Sequence, residues 1–258
     1  MKIKPASNNQ LKLWKKLLHG KYRKREGLFI AEGQRCVNQI LQNGIIRVEA
    51  IVVGQNLNEV GLENPGNTPV YSLSTDDFMA MSDTENPQGL AAVCRIPEEA
   101  DPARLSGTPG LVVAIDGIQD PGNLGTIIRT ASWFGAKALF YGHGTVDPFH
   151  PKVVRSTAGA TGSIPYVKGG HHELIAGLES NGHPVYLLDG SSSSISLKSI
   201  NPEEKGVIVV GNEANGINPE HFRKNRIPVK IEGKPGHVES LNAAVALSIA
   251  LWHFYGIS

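Results

Sequence analysis

The chain has 258 residues, 40% hydrophobic and 19% charged, with 25 Lys and Arg against 24 Asp and Glu, 29 Gly and 16 Pro. This composition excludes a disordered, collagenous or purely coiled-coil chain. The length allows one large domain or two smaller ones and needs no disulfide or metal staple. Cys36 and Cys94 lack Cys-x-x-Cys spacing, which excludes a cysteine-rich zinc site and suits a reduced, cytoplasmic compartment. Residues 1–20 carry no secretory signal and no run of about 18 apolar residues occurs, so no membrane span is expected.

The charge is unevenly spread. Residues 1–26 hold nine basic residues and one acid, Glu26, so this segment is +8 and the remainder −7. Such an arm suits a polyanion, although a solvated helix face explains it equally well. Trp14 and Tyr22 lie within it, as candidates to stack on bases.

Residues 1–99 read as a small α/β domain. Apolar runs at 28–31, 50–53, 70–73 and 90–93 alternate with helical segments near 33–42 and 75–81. Residues 97–110, with three prolines and two glycines, read as a linker that covers 100–110. Beyond it, apolar runs at 111–115, 138–141, 185–188, 207–210 and 227–231 alternate with helical segments at 124–135, 151–160, 172–180 and 219–224. This alternation over residues 111–258 predicts a mostly parallel sheet covered on both faces, with ligands beyond the carboxyl ends of its strands. The helix predicted at 240–255 is apolar almost all round, which places it in a core or against a second copy of the chain. Ser191 to Ser194 form the one low-complexity tract.

The phosphate-binding Gly-x-x-x-x-Gly-Lys-Ser/Thr loop, the Gly-x-Gly-x-x-Gly fingerprint and the Gly-x-Ser-x-Gly elbow are all absent. His171-His172-Glu173 does not match His-Glu-x-x-His and reads as surface, so no metal is expected. Three polar, glycine-rich loops follow predicted strands. The first runs from Asp120-Pro-Gly-Asn123 to Arg129-Thr-Ala131, with Asn123 a candidate helix cap. Six residues of helix set Arg129 about 240° from Asn123, off its face unless Asn123 stands outside the helix. Arg129 alone reads equally as a structural ion pair. The second loop is Gly211-Asn212-Glu213-Ala-Asn215-Gly216, where glycines flank a carboxylate. The third ends in Ser240-Leu241-Asn242 at a helix start, where caps and free N–H donors belong.

Together the three loops resemble the signature motifs of the SpoU (TrmH-like) RNA ribose 2′-O-methyltransferases of the SPOUT superfamily. The first motif, Asp-Pro-x-Asn-x-Gly-x-x-x-Arg-x-Ala, fits Asp120 to Ala131; the second, Gly-x-Glu-x-x-Gly, fits Gly211, Glu213 and Gly216; Ser240-Leu241-Asn242 fits the third. Arg155-Ser-Thr-Ala-Gly159-Ala160 resembles a further family segment. Residues 21–96, most clearly 21–33, resemble the family's N-terminal α/β/α substrate-binding domain. The family's usual Ile-Pro-apolar-x-Gly is not found after Ile231, where Glu232-Gly-Lys-Pro235-Gly236 gives a displaced proline and a longer loop.

The resemblance implies a trefoil-knotted α/β domain, a homodimer formed through the C-terminal helix, and a methyl transfer from S-adenosylmethionine to an RNA ribose 2′-hydroxyl without a metal. It implies that Leu188, Gly190, Gly211, Asn212, Gly216, Ile231, Ser240 and Leu241 hold the cofactor. Arg129, Asn123, Glu213, Ser240 and Asn242 would form the catalytic set, and Lys21, Arg23, Lys24, Arg25 and Arg155 would bind RNA. Ribosomal RNA is favoured over transfer RNA because an added domain suits a structured, extended substrate. The rival readings are a non-catalytic RNA-binding or assembly factor on the same scaffold and a methyltransferase acting on a base or a small molecule.

Overall fold

The structure, a computed structural model, describes residues 3–54, 61–63, 65–105, 109–234, 238 and 240–255. Its backbone divides into two units, Met1–Glu98 with Asp147–Ser163, and Glu99–Val146 with Ile164–Ser258.

The basic N-terminal segment is folded. Strand β1 (Ile3–Pro5) leads into α1 (Asn8–Lys16) through a capping box. Gln10 donates its backbone N–H to Ser7 Oγ (3.3 Å), and Ser7 N–H donates back to Gln10 Oε1 (2.9 Å), which satisfies donors a helix start leaves free. Helix α2 (Gly20–Glu26) ends at Gly27, whose φ of 64° supplies the left-handed stop. Then follow β2 (Leu28–Glu32), α3 (Gln34–Asn43), β3 (Val48–Val53), β4 (Val70–Ser72), α4 (Thr75–Met81) and β5 (Leu90–Arg95). They form a five-stranded mixed sheet in the order β1-β4-β3-β5-β2. Trp14 is buried in its core, edge-on to Tyr71 at 5.8 Å between ring centroids, so it is not free to stack on a base.

Helix α5 (Pro102–Leu105) falls in the predicted linker, but Leu105 is buried in the core of the second unit. The second unit continues with β6 (Gly110–Asp116), α6 (Pro121–Trp133) and β7 (Ala138–Tyr141). Helix α7 (Pro151–Ser156) belongs to the first unit, so residues 147–163 of the predicted 111–258 domain group with the N-terminal part of the chain. Then come β8 (Tyr166–Lys168), α8 (His171–Ser180), β9 (Val185–Leu188), β10 (Ile195–Ser196), β11 (Lys205–Gly211), β12 (Ile227–Lys230) and α9 (Ala243–Tyr255).

The second sheet has seven strands in the order β10-β12-β9-β11-β6-β7-β8, every pairing parallel. Its central strands are apolar on both faces, as the continuous runs predict. Pro228 is tolerated inside it because β10 pairs only with Val229 and Lys230; β12 is an edge at Pro228, where a missing N–H costs nothing. The segment 219–224 is a single 3-10 turn at Pro219–His221 rather than a helix.

Arg226 is fully buried and holds Glu179 through two bonds, Nη2 to Oε2 at 2.7 Å and Nε to Oε1 at 2.9 Å. The guanidinium bonds hold the Glu179 carboxyl below its ordinary range, against burial, which pushes the other way. A depressed folded-state pKa stabilises above the unfolded value and is lost as pH falls through the folded one. Arg226→Met is therefore expected to cost about 3 kcal/mol at neutral pH, because it leaves a partly buried carboxylate with the Asn225 amide, 2.8 Å away, but without its guanidinium. The loss shrinks as pH falls below the ordinary Glu range, about 4.3, toward the depressed point at which the folded-state carboxyl takes up its proton. Urea unfolding of both proteins at the two pH values checks it; an equal loss at both would mean packing, not charge.

Candidate active site

Asp120 caps α6. Its Oδ1 accepts the Asn123 N–H at 2.7 Å, and Pro121 opens the helix where no N–H is needed. Asn123 therefore lies inside the helix and is not the cap that the sequence suggested. The consequence is geometric: Asn123 and Arg129 leave α6 on different faces.

The Asn123 side chain joins the three motifs. Its Nδ2 donates to Glu213 Oε1 (2.8 Å), and Asn242 Nδ2 donates to its Oδ1 (2.9 Å). Asn242 Oδ1 in turn accepts the N–H groups of Ala244 (3.0 Å) and Val245 (3.3 Å), capping α9. One amide thus fixes the start of the last helix and grips the first motif.

The loop after β11 turns back on itself. Asn212 and Gly216 exchange backbone hydrogen bonds of 2.9 Å in both directions. Asn212 Oδ1 accepts from the Ala214 and Asn215 N–H groups, and its Nδ2 donates to the Gly117 carbonyl. Gly216 turns at a φ of 70°.

These loops enclose a cavity of about 530 Å³ at the carboxyl ends of β9, β11 and β12 and the start of α9, where parallel sheets place their ligands. All eight residues expected to hold the cofactor line it: Leu188, Gly190, Gly211, Asn212, Gly216, Ile231, Ser240 and Leu241. Glu213 and Asn242 line it too. Arg129 does not; it is exposed on α6, one turn before Trp133, which is 83% exposed. Pro235 and Gly236 of the third loop lie outside the described residues.

The volume suits a nucleoside-sized molecule. Apolar Leu188, Val210 and Val229 line it beside two carboxylates, Asp189 and Glu213. That set fits S-adenosylmethionine, whose flat adenine suits an apolar wall and whose ammonium, sulfonium and ribose hydroxyls suit carboxylates. Asp189 lies in the loop expected at the cofactor, Leu188–Gly190, but was not singled out itself. Its Oδ2 accepts the hydroxyls of Ser191 (2.5 Å) and Ser194 (2.8 Å).

A second cluster also escaped the sequence reading. His171 is buried, 4% exposed, which corrects its assignment to the surface. Ligand-type atoms of His171, His221 and Asp116 lie within 4.8 Å of one another. His171 Nε2 donates to the Phe140 carbonyl at 2.9 Å. His221 Nδ1 lies 3.2 Å from Arg226 Nη1; a guanidinium only donates, so Nδ1 accepts and Nε2 keeps its hydrogen. A metal would need a lone pair there. Burial lowers the pKa of both histidines, which stand with the Asp116 carboxylate in one polar cluster. No spacing along the chain relates residues 116, 171 and 221.

In the first unit Arg23 is 2% exposed and is committed within the fold. It bonds Asp147 Oδ2 at 2.7 and 2.9 Å and the carbonyls of Leu17 and Leu18 at 2.9 Å. It is not free for a phosphate, which corrects its place in the RNA-binding set. Arg155 is likewise paired, with Asp83 and Glu32. Lys21, Lys24 and Arg25 are exposed. Tyr22 sits against the Lys16 ammonium and the Arg25 guanidinium, at 5.6 and 4.9 Å from its ring centre.

The profile of the SpoU rRNA Methylase family matches residues 110–252, and that of the MRM3-like substrate binding domain matches residues 8–92. The chain is 36% identical over 98% of its length to the 23S rRNA (guanosine(2553)-2′-O)-methyltransferase RlmP of Bacillus subtilis, covering 99% of it. A TrmH-family RNA methyltransferase structure from Porphyromonas gingivalis superposes with a TM-score of 0.81 at 33% identity, covering 96% of this chain and 98% of that one. The AdoMet-bound rRNA methyltransferase of Sinorhizobium meliloti gives 0.82 at 26% identity, covering 98% and 97%.

Proposed function

Because the chain belongs to the SpoU rRNA methylase family, we propose that it transfers a methyl group from S-adenosylmethionine to a ribose 2′-hydroxyl of ribosomal RNA. The observation that carries this reading is the Asn123–Glu213–Asn242 chain of hydrogen bonds, which ties the first motif to the two that line the cavity, although Asn123 does not itself line it. S-adenosylmethionine supplies, when bound, a methyl group already activated by its sulfonium charge. The protein's task is then to align a hydroxyl and receive its proton.

Leu188, Gly190, Gly211, Asn212, Gly216, Ile231, Ser240 and Leu241 would hold the cofactor. Glu213 and Asn242 keep acceptor and donor capacity beyond their bonds to Asn123 and would orient the ribose. Arg129 has no acceptor lone pair and stays charged, so it is not a base. It would clamp the adjoining phosphate and stabilise the oxygen as the 2′ proton leaves, with that phosphate or Ser240 Oγ receiving the proton.

Arg129 lies outside its own chain's cavity, and Trp133, Val245 and Trp252 leave an apolar face on α6 and α9. We assign that face to a second copy of the chain. The homodimer would bring Arg129 of each subunit to RNA held at the partner's cavity. Exposed Lys21, Lys24 and Arg25 would hold phosphates, which makes affinity fall with salt.

The test is transfer of labelled methyl from S-adenosylmethionine to transcribed 23S and 16S rRNA and to tRNA, followed by nucleoside mass spectrometry. A 2′-O-methylnucleoside from rRNA alone is the expected product. A methylated base would replace the reaction proposed. Cofactor binding without transfer would favour an RNA-binding assembly factor.

A further inference from the structure

The first unit has a cavity of its own, of about 280 Å³, beside the start of α3. Its wall holds an unmet donor: Arg155 Nη1 is buried and makes no hydrogen bond, although Nη2 reaches Asp83 Oδ2 at 3.1 Å. A buried donor left over in a folded protein calls for an explanation. Glu32 Oε2, 3.6 Å from Nη1, is no substitute. The Glu32 carboxylate is already held by the hydroxyls of Ser82 (2.5 Å) and Thr84 (3.0 Å) and by the Asp83 N–H (3.3 Å).

The same wall is strained. Ala158 has a φ of 51°, the one non-glycine residue with positive φ among the described residues. Strain of this kind collects where a ligand is clamped. The next residue, Gly159, is locked against α3, since a Cβ there would stand 2.3 Å from Gln39 Cβ.

The rest of the lining is Gly33, Cys36 and Thr84 together with two amides and a second guanidinium. Asn86, Gln88 and Arg35 are exposed at the cavity. Gln88 Oε1 accepts the Gln34 N–H at 3.0 Å, which leaves its NH₂ to donate. Arg35 and Gln88 are shared with a neighbouring pocket of about 350 Å³, lined further by Asn38, Gln39 and Gln42. Arg155 faces two carboxylates, so a phosphate would gain little at that wall. A neutral, planar group with donors and acceptors on its edge fits better. Amides offer both kinds of partner, and a guanidinium plane is a surface on which unpaired RNA bases stack.

We propose that this groove takes an unpaired nucleotide of the RNA substrate, with its base in the cavity against Arg155, Asn86 and Gln88 and stacked on Arg35. The proposal rests on the RNA reading above. It gives the first unit a base-reading site distinct from its exposed lysines.

Filter binding of transcribed 23S rRNA tests it over a range of salt. The Asn86→Ala/Gln88→Ala variant is expected to raise Kd about tenfold, the scale of one or two lost hydrogen bonds. The salt slope should not change, because no cation is removed. Lys21→Ala/Lys24→Ala should instead flatten the slope. Arg35→Ala alone should weaken binding, which covers the case in which the double variant fails to fold. Affinity for S-adenosylmethionine should be unaltered in all of them. Unchanged rRNA affinity in the amide and Arg35 variants would overturn the proposal, as would absent rRNA binding by the wild type. Binding is read without methyl transfer, so an inactive wild type that shows these losses would sink the enzymatic reading and leave this one standing.

Discussion

Arg129→Ala is expected to lose at least about a hundredfold in the rate of methyl transfer, within the range attributed to one oxyanion or proton-handling group. Its affinity for S-adenosylmethionine should stay at the wild-type value, because Arg129 does not line the cavity. Its melting temperature should stay too, since the side chain is exposed and exposed substitutions away from special features move stability by only about 0.5 kcal/mol. Arg129→Lys separates two parts of the role. A lysine keeps the charge but not the planar fork, so it should recover a fraction of the rate if phosphate clamping matters. Single-turnover transfer to rRNA, with calorimetric cofactor binding, reads all three quantities. A wild-type rate in Arg129→Ala would remove the residue from the mechanism. A lost rate with lost dimerisation in sedimentation would assign Arg129 to the interface instead.

Much of this arrangement was legible in the sequence, for identifiable reasons. The parallel sheet was legible because buried strands in such sheets are continuous apolar runs, and 111–115, 138–141 and 207–210 all lie on strands. The cavity was legible because each of its loops follows a strand end. The position of Arg129 relative to Asn123 was left open by one unknown, whether Asn123 stands outside α6 as its cap. The hydrogen bond from the Asn123 N–H to Asp120 Oδ1 decides it, and with it the separation of Arg129 from the cavity.

The basic segment was misleading because charge density reports neither burial nor partners. Arg23 and Lys24 are neighbours in sequence, yet one is buried on Asp147, 124 residues away, and the other is exposed. The same limit hid the Asp116–His171–His221 network and the base-reading groove. Both are assembled from residues far apart in the chain, and the groove draws on 147–163, a segment whose motif lies among those of the other unit.

Gly211→Ala is expected to abolish cofactor binding and, with it, methyl transfer. The requirement for glycine there is spatial. Gly211 ends β11 in register with Asp116 and is not among the residues with positive φ, so alanine would meet no backbone penalty of its own. A Cβ, however, would stand 2.4 Å from the Gly216 carbonyl carbon and 2.4 Å from the Ile217 nitrogen. Both are backbone atoms, and neither can swing aside as a side chain would. The loop that Asn212 and Gly216 close would have to lift from the strand end, taking the cavity wall with it. Forced overpacking costs about 1–3 kcal/mol where neighbours can adjust, and here the adjustment is the loop itself. The melting temperature should fall by a few degrees while the first unit's rRNA affinity persists, since residues 8–92 and 147–163 are untouched. Gly216→Ala, where no atom lies within 4 Å but φ is 70°, should be milder. Equal cofactor affinity in Gly211→Ala and wild type would mean that this loop does not form the binding wall.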